Sequence, residues 1–215
     1  MKIAKGGLYW IIPSFLVTLF FIVLTIYINE PIKYIILFIF MLSLLISFVL
    51  LIFFRDPQRK IGKGIVAVAD GVVREITKEE DKDVDKCTKI STFMNIYNVH
   101  VNRMPIDGVI KDIIHHDGAH IPAFKKESEK NEKVILLLKT NIGNIKIIQI
   151  AGTLARRIVP YVKKGDIVKK GEKIGLIRLG SRVDIYLPTK KIKSITVKVK
   201  DRIQAGENTI AEIHD

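Results

Sequence analysis

Hydrophobic patterning divides the chain near residue 54. Residues Leu8 to Ile28 form a nearly unbroken apolar run, and Tyr34 to Phe54 form a second that carries no charge. Each run is about 20 residues long, enough for a helix to cross a hydrocarbon core roughly 30 Å thick. Only Asn29-Glu30-Pro31-Ile32-Lys33 lies between them, so residues 1–54 are predicted to be two transmembrane helices joined by a tight turn. Pro13 and Ser14 fall near the start of the first run, where a helix tolerates them. A secretory signal peptide would have a shorter apolar core, small residues at a cleavage site and no second span.

From about Ile61 the pattern changes to short β-type runs punctuated by glycine. Ile65 to Ala69, then Asp70-Gly71, then Val72 to Ile76 reads as apolar run, turn, apolar run, a hairpin signal. Lys78 to Lys89 is charged and reads as a solvated loop or hairpin tip. Ile90 to Val101 resumes strand character, and Pro105-Ile-Asp-Gly108 makes another turn. Val134 to Lys139 and Ile145 to Ala151 predict two strands across Asn141-Ile-Gly143-Asn. Two Lys-Lys-Gly-acid units, Lys163 to Asp166 and Lys169 to Glu172, predict successive tight turns like the hairpins of biotinyl/lipoyl-type folds. Around Gly180-Ser181 the chain is strand-like on both sides. Val183, Ile185 and Leu187 alternate with Arg182, Asp184 and Tyr186 up to Pro188. The tail from Lys190 alternates again and turns at Gly206-Glu-Asn. Helical periodicity is weak, with Ala123 to Asn131 too short and charged to count. The predicted fold is mainly β: two N-terminal transmembrane helices, then a β-rich domain over 55–215 with lipoyl/barrel-sandwich-hybrid-like hairpins.

Composition adds a membrane context. Thirty-five lysines and arginines against 22 acids give a net charge of +13, yet mean hydropathy is +0.25. A membrane part joined to a basic part that meets anionic headgroups explains both. Lys2 and Lys5 precede the first run, and Arg55, Arg59, Lys60 and Lys63 follow the second. The positive-inside rule then places both termini, and the β domain, on the cytoplasmic side of the cell membrane. The single cysteine, Cys87, excludes an intramolecular disulfide and a cysteine-based zinc site. Few aromatics interleave with the lysines of the β domain, which argues against a nucleic-acid binder. There is neither a Rossmann fingerprint nor a phosphate loop.

Candidate chemistry is modest when each residue is taken singly. Gly180-Ser181 has the reading of a turn or bulge. His100, inside Asn98-Val-His-Val-Asn-Arg-Met-Pro105, has the reading of a hydrogen-bonded strand residue, and Asp70 that of a turn aspartate. His115 and His116 point to opposite faces of a strand, and no carboxylate-rich segment completes a metal set with them or with His120. His214 lies next to the C-terminus.

Taken in order, these segments are more specific. The two spans, Phe53-Phe-Arg-Asp-Pro-Gln-Arg59, Ala69-Asp-Gly71, Asn98 to Pro105, Asn131-Glu132, Gln149-Ile-Ala-Gly-Thr-Leu-Ala-Arg-Arg157 and Gly180-Ser-Arg182 stand in this order along the chain. The chain resembles the phosphatidylserine decarboxylase family in its short membrane-anchored form. That resemblance implies a self-processing proenzyme cut between Gly180 and Ser181 into a β chain, 1–180, and an α chain, 181–215. Ser181 would become a covalent pyruvoyl group that condenses with the serine amine of a phosphatidylserine or archaetidylserine lipid. Carbon dioxide is then lost, with no pyridoxal phosphate, metal or diffusible cofactor. The resemblance also points to a homodimer. Glycine at 180 leaves the carbonyl open to attack. A serine hydroxyl needs an adjacent base, for which His100 is the candidate, with Asp70 orienting the imidazole. Longer relatives carry two histidines three apart before Met-Pro and a Gly-Ser-Thr cut. Arg103 and Arg182 stand at those places here, which leaves open how His100, His115 and His116 divide the roles. The competing class is a non-enzymatic membrane-anchored adaptor with a lipoyl-like β domain. The cytoplasmic placement and the absence of a long helical hairpin beside the β runs argue against it.

Overall fold

A computed structural model describes residues 2–118, 130–152, 158–178 and 181–214. Gly180, His120, most of the Ala123 to Asn131 stretch and the Thr153 to Arg157 part of the Gln149 motif lie outside the described residues. The chain forms two compact units, Met1–Gln58 and Arg59–Asp215.

In the first unit, α1 (Leu8–Tyr27) and α2 (Ile32–Phe53) pack on each other as an antiparallel pair. Both are long and apolar enough to cross a membrane, and their large side chains point mostly outward. Between the helices, Thr18 and Ser47 share a buried hydrogen bond of 3.2 Å. Outside the spans, β1 (Lys2–Ile3) pairs with β2 (Arg55–Asp56), tying the two ends of the hairpin together.

The second unit is built of strands. In chain order they are β3 (Ile65–Val66), β4 (Gly71–Asp81), β5 (Asp85–Met94), β6 (Val101–Arg103) and β7 (Gly108–His116). Then come β8 (Lys133–Thr140), β9 (Gly143–Ile150), β10 (Ile158–Pro160), β11 (Ile167–Val168), β12 (Lys173–Ile177) and β13 (Ser181–Pro188). The last three are β14 (Ile192–Ile195), β15 (Arg202–Ile203) and β16 (Thr209–Ile213). An eight-stranded sheet runs β11-β7-β8-β9-β13-β5-β4-β15. Two three-stranded sheets, β10-β12-β6 and β14-β16-β3, complete the unit. The main core gathers Ile90, Leu136, Leu138, Ile147, Ile174 and Val183 from these strands. Each fully buried side chain of this size contributes about 1.5–3 kcal/mol. The mainly β prediction holds, as does the hairpin across Asn141 to Asn144, where Thr140 faces Gly143.

One local prediction changes. No hairpin forms at Asp70-Gly71: β3 pairs with β16, whereas β4 pairs with β5 and β15. Gly71 is there for close approach, since a Cβ would come 2.1 Å from the Phe93 carbonyl oxygen. The charged stretch Lys78 to Lys89 forms the hairpin tip that is one of its two expected readings, with β4 and β5 paired out to Asp81 and Asp85. Its charges face one another across the sheet. Lys89 meets Glu79 at 3.5 Å, and Lys146 of β9 bonds Asp81.

Both Lys-Lys-Gly-acid units form the same turn. The acid side chain accepts the first lysine's amide, Lys163 to Asp166 at 2.7 Å and Lys169 to Glu172 at 3.0 Å. Glycine takes the positive φ, +91° at Gly165 and +84° at Gly171. The strands these turns join, β11 and β12, pair with β7 and with β6 and β10 rather than with each other. A third copy occurs at Lys198–Asp201, where the Lys198 amide bonds Asp201 at 2.8 Å. There the glycine position is held by Lys200, at φ +80°. A non-glycine residue in this region is strained. Lys200→Gly is expected to stabilise the protein by about 0.5–1 kcal/mol, read as a higher thermal midpoint.

Candidate active site

Ser181 is the first residue of β13, the strand held between β5 and β9. The period of two sends Val183, Ile185 and Leu187 into the core and Arg182, Asp184 and Tyr186 to the other face. Ser181 goes with the core set. It is fully buried, and its Oγ has no hydrogen-bond partner among the described residues. Leaving a buried hydroxyl unpaired costs about 1–3 kcal/mol, so the position asks for an explanation other than packing.

His100 is likewise fully buried. Its Nδ1 lies 2.8 Å from the Asn98 carbonyl oxygen. A carbonyl only accepts, so the neutral ring carries its proton on Nδ1 and its lone pair on Nε2. The His100 carbonyl accepts the Ile177 amide at 3.3 Å, pinning this residue beside the end of β12, four residues before Ser181. Asp70 is buried beside the same segment. One of its oxygens meets Arg59 at 2.7 Å, the other takes the Ala205 amide at 2.8 Å, and the carboxylate also accepts the Val99 amide. Burial raises its pKa, against the pull of these donors. The sequence expectation had Asp70 orienting the imidazole. In the structure a backbone carbonyl meets Nδ1, and Asp70 holds the amide just before His100.

Two residues given no role from sequence complete this neighbourhood. Asn102 and Gln149 are both fully buried, and Gln149 Nε2 donates to Asn102 Oδ1 at 2.7 Å. Gly175, paired with Asn102 across β6 and β12, leaves the room Gln149 needs: a Cβ there would sit 3.0 Å from Gln149 Nε2. The available signal was polar residues at inward positions of apolar strands, Asn102 beside Val101 and Gln149 between Ile148 and Ile150.

Other candidates lie apart. Arg103 Nη1 donates to the Gly171 carbonyl at 3.0 Å, and its stem packs near Gly206. His115 and His116 end β7, three strands away from β13 in the sheet order, and both are exposed. His115 Nε2 faces Glu132 at 3.3 Å. His214 is exposed near the C-terminus. Among the described residues no three His, Cys, Asp or Glu side chains gather to hold a metal ion.

On the opposite face of β13 a cavity of about 280 Å³ is lined by Arg182, Asp184, Tyr186, Lys89 and Lys133, among others. Asp184 is buried and meets Arg182 at 3.0 Å. Desolvation raises its pKa despite Arg182, Ser91 and Lys89, and raises that of Tyr186 as well.

The chain thus joins a membrane-type helical hairpin to a β unit in which a buried serine, unpartnered among the described residues, begins a central strand. Residues 46–211 match the sequence profile described as phosphatidylserine decarboxylase, and the chain belongs to that family. A Methanococcoides burtonii protein named as an archaetidylserine decarboxylase proenzyme is 40% identical over 213 residues, 98% of this chain and 96% of its own. A likewise-named Methanosarcina barkeri protein is 38% identical over 218 residues, 98% of each chain. A Streptomyces avermitilis phosphatidylserine decarboxylase proenzyme is 47% identical over 162 residues, 75% of this chain and 70% of its own.

The Asp184 site has a pH signature. Its folded pKa is raised, so the folded state takes up the proton first as pH falls. The stability this contributes is present at low pH and is lost as pH rises through the folded pKa. Asp184→Asn lacks this titration. The thermal midpoint of the parent minus that of Asp184→Asn is therefore expected to grow on acidification from neutrality, and a shrinking difference contradicts the assignment.

Proposed function

We propose that the chain is the precursor of a pyruvoyl-dependent decarboxylase. It cuts itself between Gly180 and Ser181 and converts a serine-headgroup membrane lipid to the ethanolamine lipid. The observation that carries this reading is Ser181 itself, a fully buried hydroxyl with no partner among the described residues, on a strand paired along both edges. Family membership and the proenzyme names of the relatives support the decarboxylase role.

Maturation follows from the residues present. His100 Nε2 takes the proton from Ser181 Oγ, which attacks the Gly180 carbonyl carbon. The carbon–nitrogen bond breaks, the Ser181 nitrogen leaves as the amine, and the two segments are joined by an ester. Loss of the Ser181 Cα proton then expels the Gly180 carboxylate and cuts the chain. Water replaces the nitrogen of the residual dehydroalanine, releasing ammonia. The pyruvoyl group so formed supplies an electrophilic carbonyl and an electron sink for loss of carbon dioxide from the amine-bearing headgroup. The buried neighbourhood of His100, Asn102 and Gln149 fits such a group: it is polar, closed to water and still holds an acceptor, Gln149 Oε1, with no partner among the described residues.

The two apolar helices anchor the enzyme in the cell membrane, with the β unit on the cytoplasmic side near anionic headgroups. Proteins matching the whole chain, helices included, carry the archaetidylserine name, which supports an ether-linked lipid as substrate. The serine headgroup on which the chemistry acts is shared with phosphatidylserine.

Intact mass spectrometry tests the reading. Purified protein is expected as two chains, 1–180 and 181–215, the smaller lighter by one ammonia than a peptide beginning with serine. Ser181→Ala is expected as one uncut, inactive chain. A single unbroken parent chain, or a small chain beginning with intact serine, contradicts the proposal.

A further inference from the structure

We propose that Asn102 is a catalytic residue of maturation: its side-chain amide donates to the oxyanion formed on the Gly180 carbonyl, with Gln149 as the positioning residue that aims it. This rests on the cut assigned above to Gly180-Ser181.

The amide of Asn102 is held in one orientation. Its Oδ1 accepts from Gln149 Nε2 at 2.7 Å, which leaves Nδ2 as the end available to donate elsewhere. Nδ2 lies 3.8 Å from Met94 Sδ, and a thioether is a weak acceptor. Met94 is the residue directly paired with Ser181 across β5 and β13. The donor therefore lies against the side chain of the residue opposite the serine, and sulfur is its one acceptor among the described residues. Gln149 reaches this point from the other side of β13. It pairs with Val183 and shares its inward face, so it stands diagonal to Ser181, within the reach of a long side chain. Gly175 supplies the space for the Gln149 amide.

A buried N–H on a weak acceptor is costly in the resting chain and gains most when charge appears beside it. The acyl shift produces that charge. As Ser181 Oγ bonds to the Gly180 carbonyl carbon and its proton passes to His100 Nε2, the carbonyl oxygen becomes an oxyanion. The Gly180 carbonyl carbon is bonded to the Ser181 nitrogen, so the oxyanion arises next to Ser181. The Asn102 Nδ2–H turns from sulfur to oxygen. Collapse of the adduct restores the carbonyl and breaks the carbon–nitrogen bond, and His100 returns its proton to the departing nitrogen to give the neutral Ser181 amine, with no redox change. Loss of one such donor lowers a rate by about 10²–10³-fold.

The test follows cleavage of freshly translated full-length chain, inserted in lipid nanodiscs, by intact mass with and without hydroxylamine, which cuts esters faster than amides. Asn102→Asp keeps the volume and the acceptor for Gln149 but removes the N–H. It is expected to slow cleavage by about 10²–10³-fold and to gain no cleavage from hydroxylamine, because the ester itself fails to form. Gln149→Met leaves the N–H and removes its pin, and is expected to slow cleavage by a smaller factor. Thermal melting shows which variants are folded, and Gln149→Met decides if Asn102→Asp is not. A folded variant cut at the parent rate, or a hydroxylamine-sensitive ester accumulating in Asn102→Asp, overturns the role of Asn102. A parent chain that stays whole overturns instead the assignment of the cut.

Discussion

β13 is hydrogen-bonded along both edges, to β5 from Ser181 through Pro188 and to β9 from Arg182 through Tyr186. The placement of Ser181 and of the residues around it depends on that pairing. A cut just before Ser181 leaves a segment of 35 residues, 181–215, whose first strand is locked between two strands of the larger segment. Further along, β15 pairs with β4 and β16 with β3. The fold is thus held across the proposed cut by ladders and core packing, not by the bond that breaks. The new terminus begins inside a sheet, where its position is already set.

The strand's period of two separates two electrostatic environments. On the inward face Ser181 joins an apolar core, with the buried Asn102–Gln149 amide pair beside it. On the outward face Arg182, Asp184, Lys89 and Glu79 balance one another around a cavity. Asp70 and Arg59 hold the base of the site in a third way. Their buried pair at 2.7 Å, together with the Ala205 and Val99 amides, joins residues distant in sequence and fixes the approach to His100. Removing one member of such a pair leaves an uncompensated buried charge, at a cost of about 3–5 kcal/mol.

What could be read from sequence was what is local. Two apolar runs, the turn at Gly143, the paired lysine turns and the alternation after Ser181 each depend on residues a few places apart. Asp70-Gly71 failed for the complementary reason. Its dipeptide signals a turn, but Gly71 is required by the Phe93 carbonyl and Asp70 by Arg59 and Ala205, none of which a local window contains. The Asn102–Gln149 pair, 47 residues apart, was hidden in the same way. Ser181 emerged from an ordered set of motifs resembling a family, because a Gly-Ser pair alone describes a bulge equally well.

The most direct measurement is to incubate the purified protein with its serine lipid, reduce with cyanoborohydride and locate the adduct by peptide mass spectrometry. The account predicts a lipid-amine adduct on residue 181, at the terminus of the small chain, and none on any lysine. An adduct on a lysine, or substrate turnover with residue 181 still an unmodified serine in an uncut chain, would contradict it.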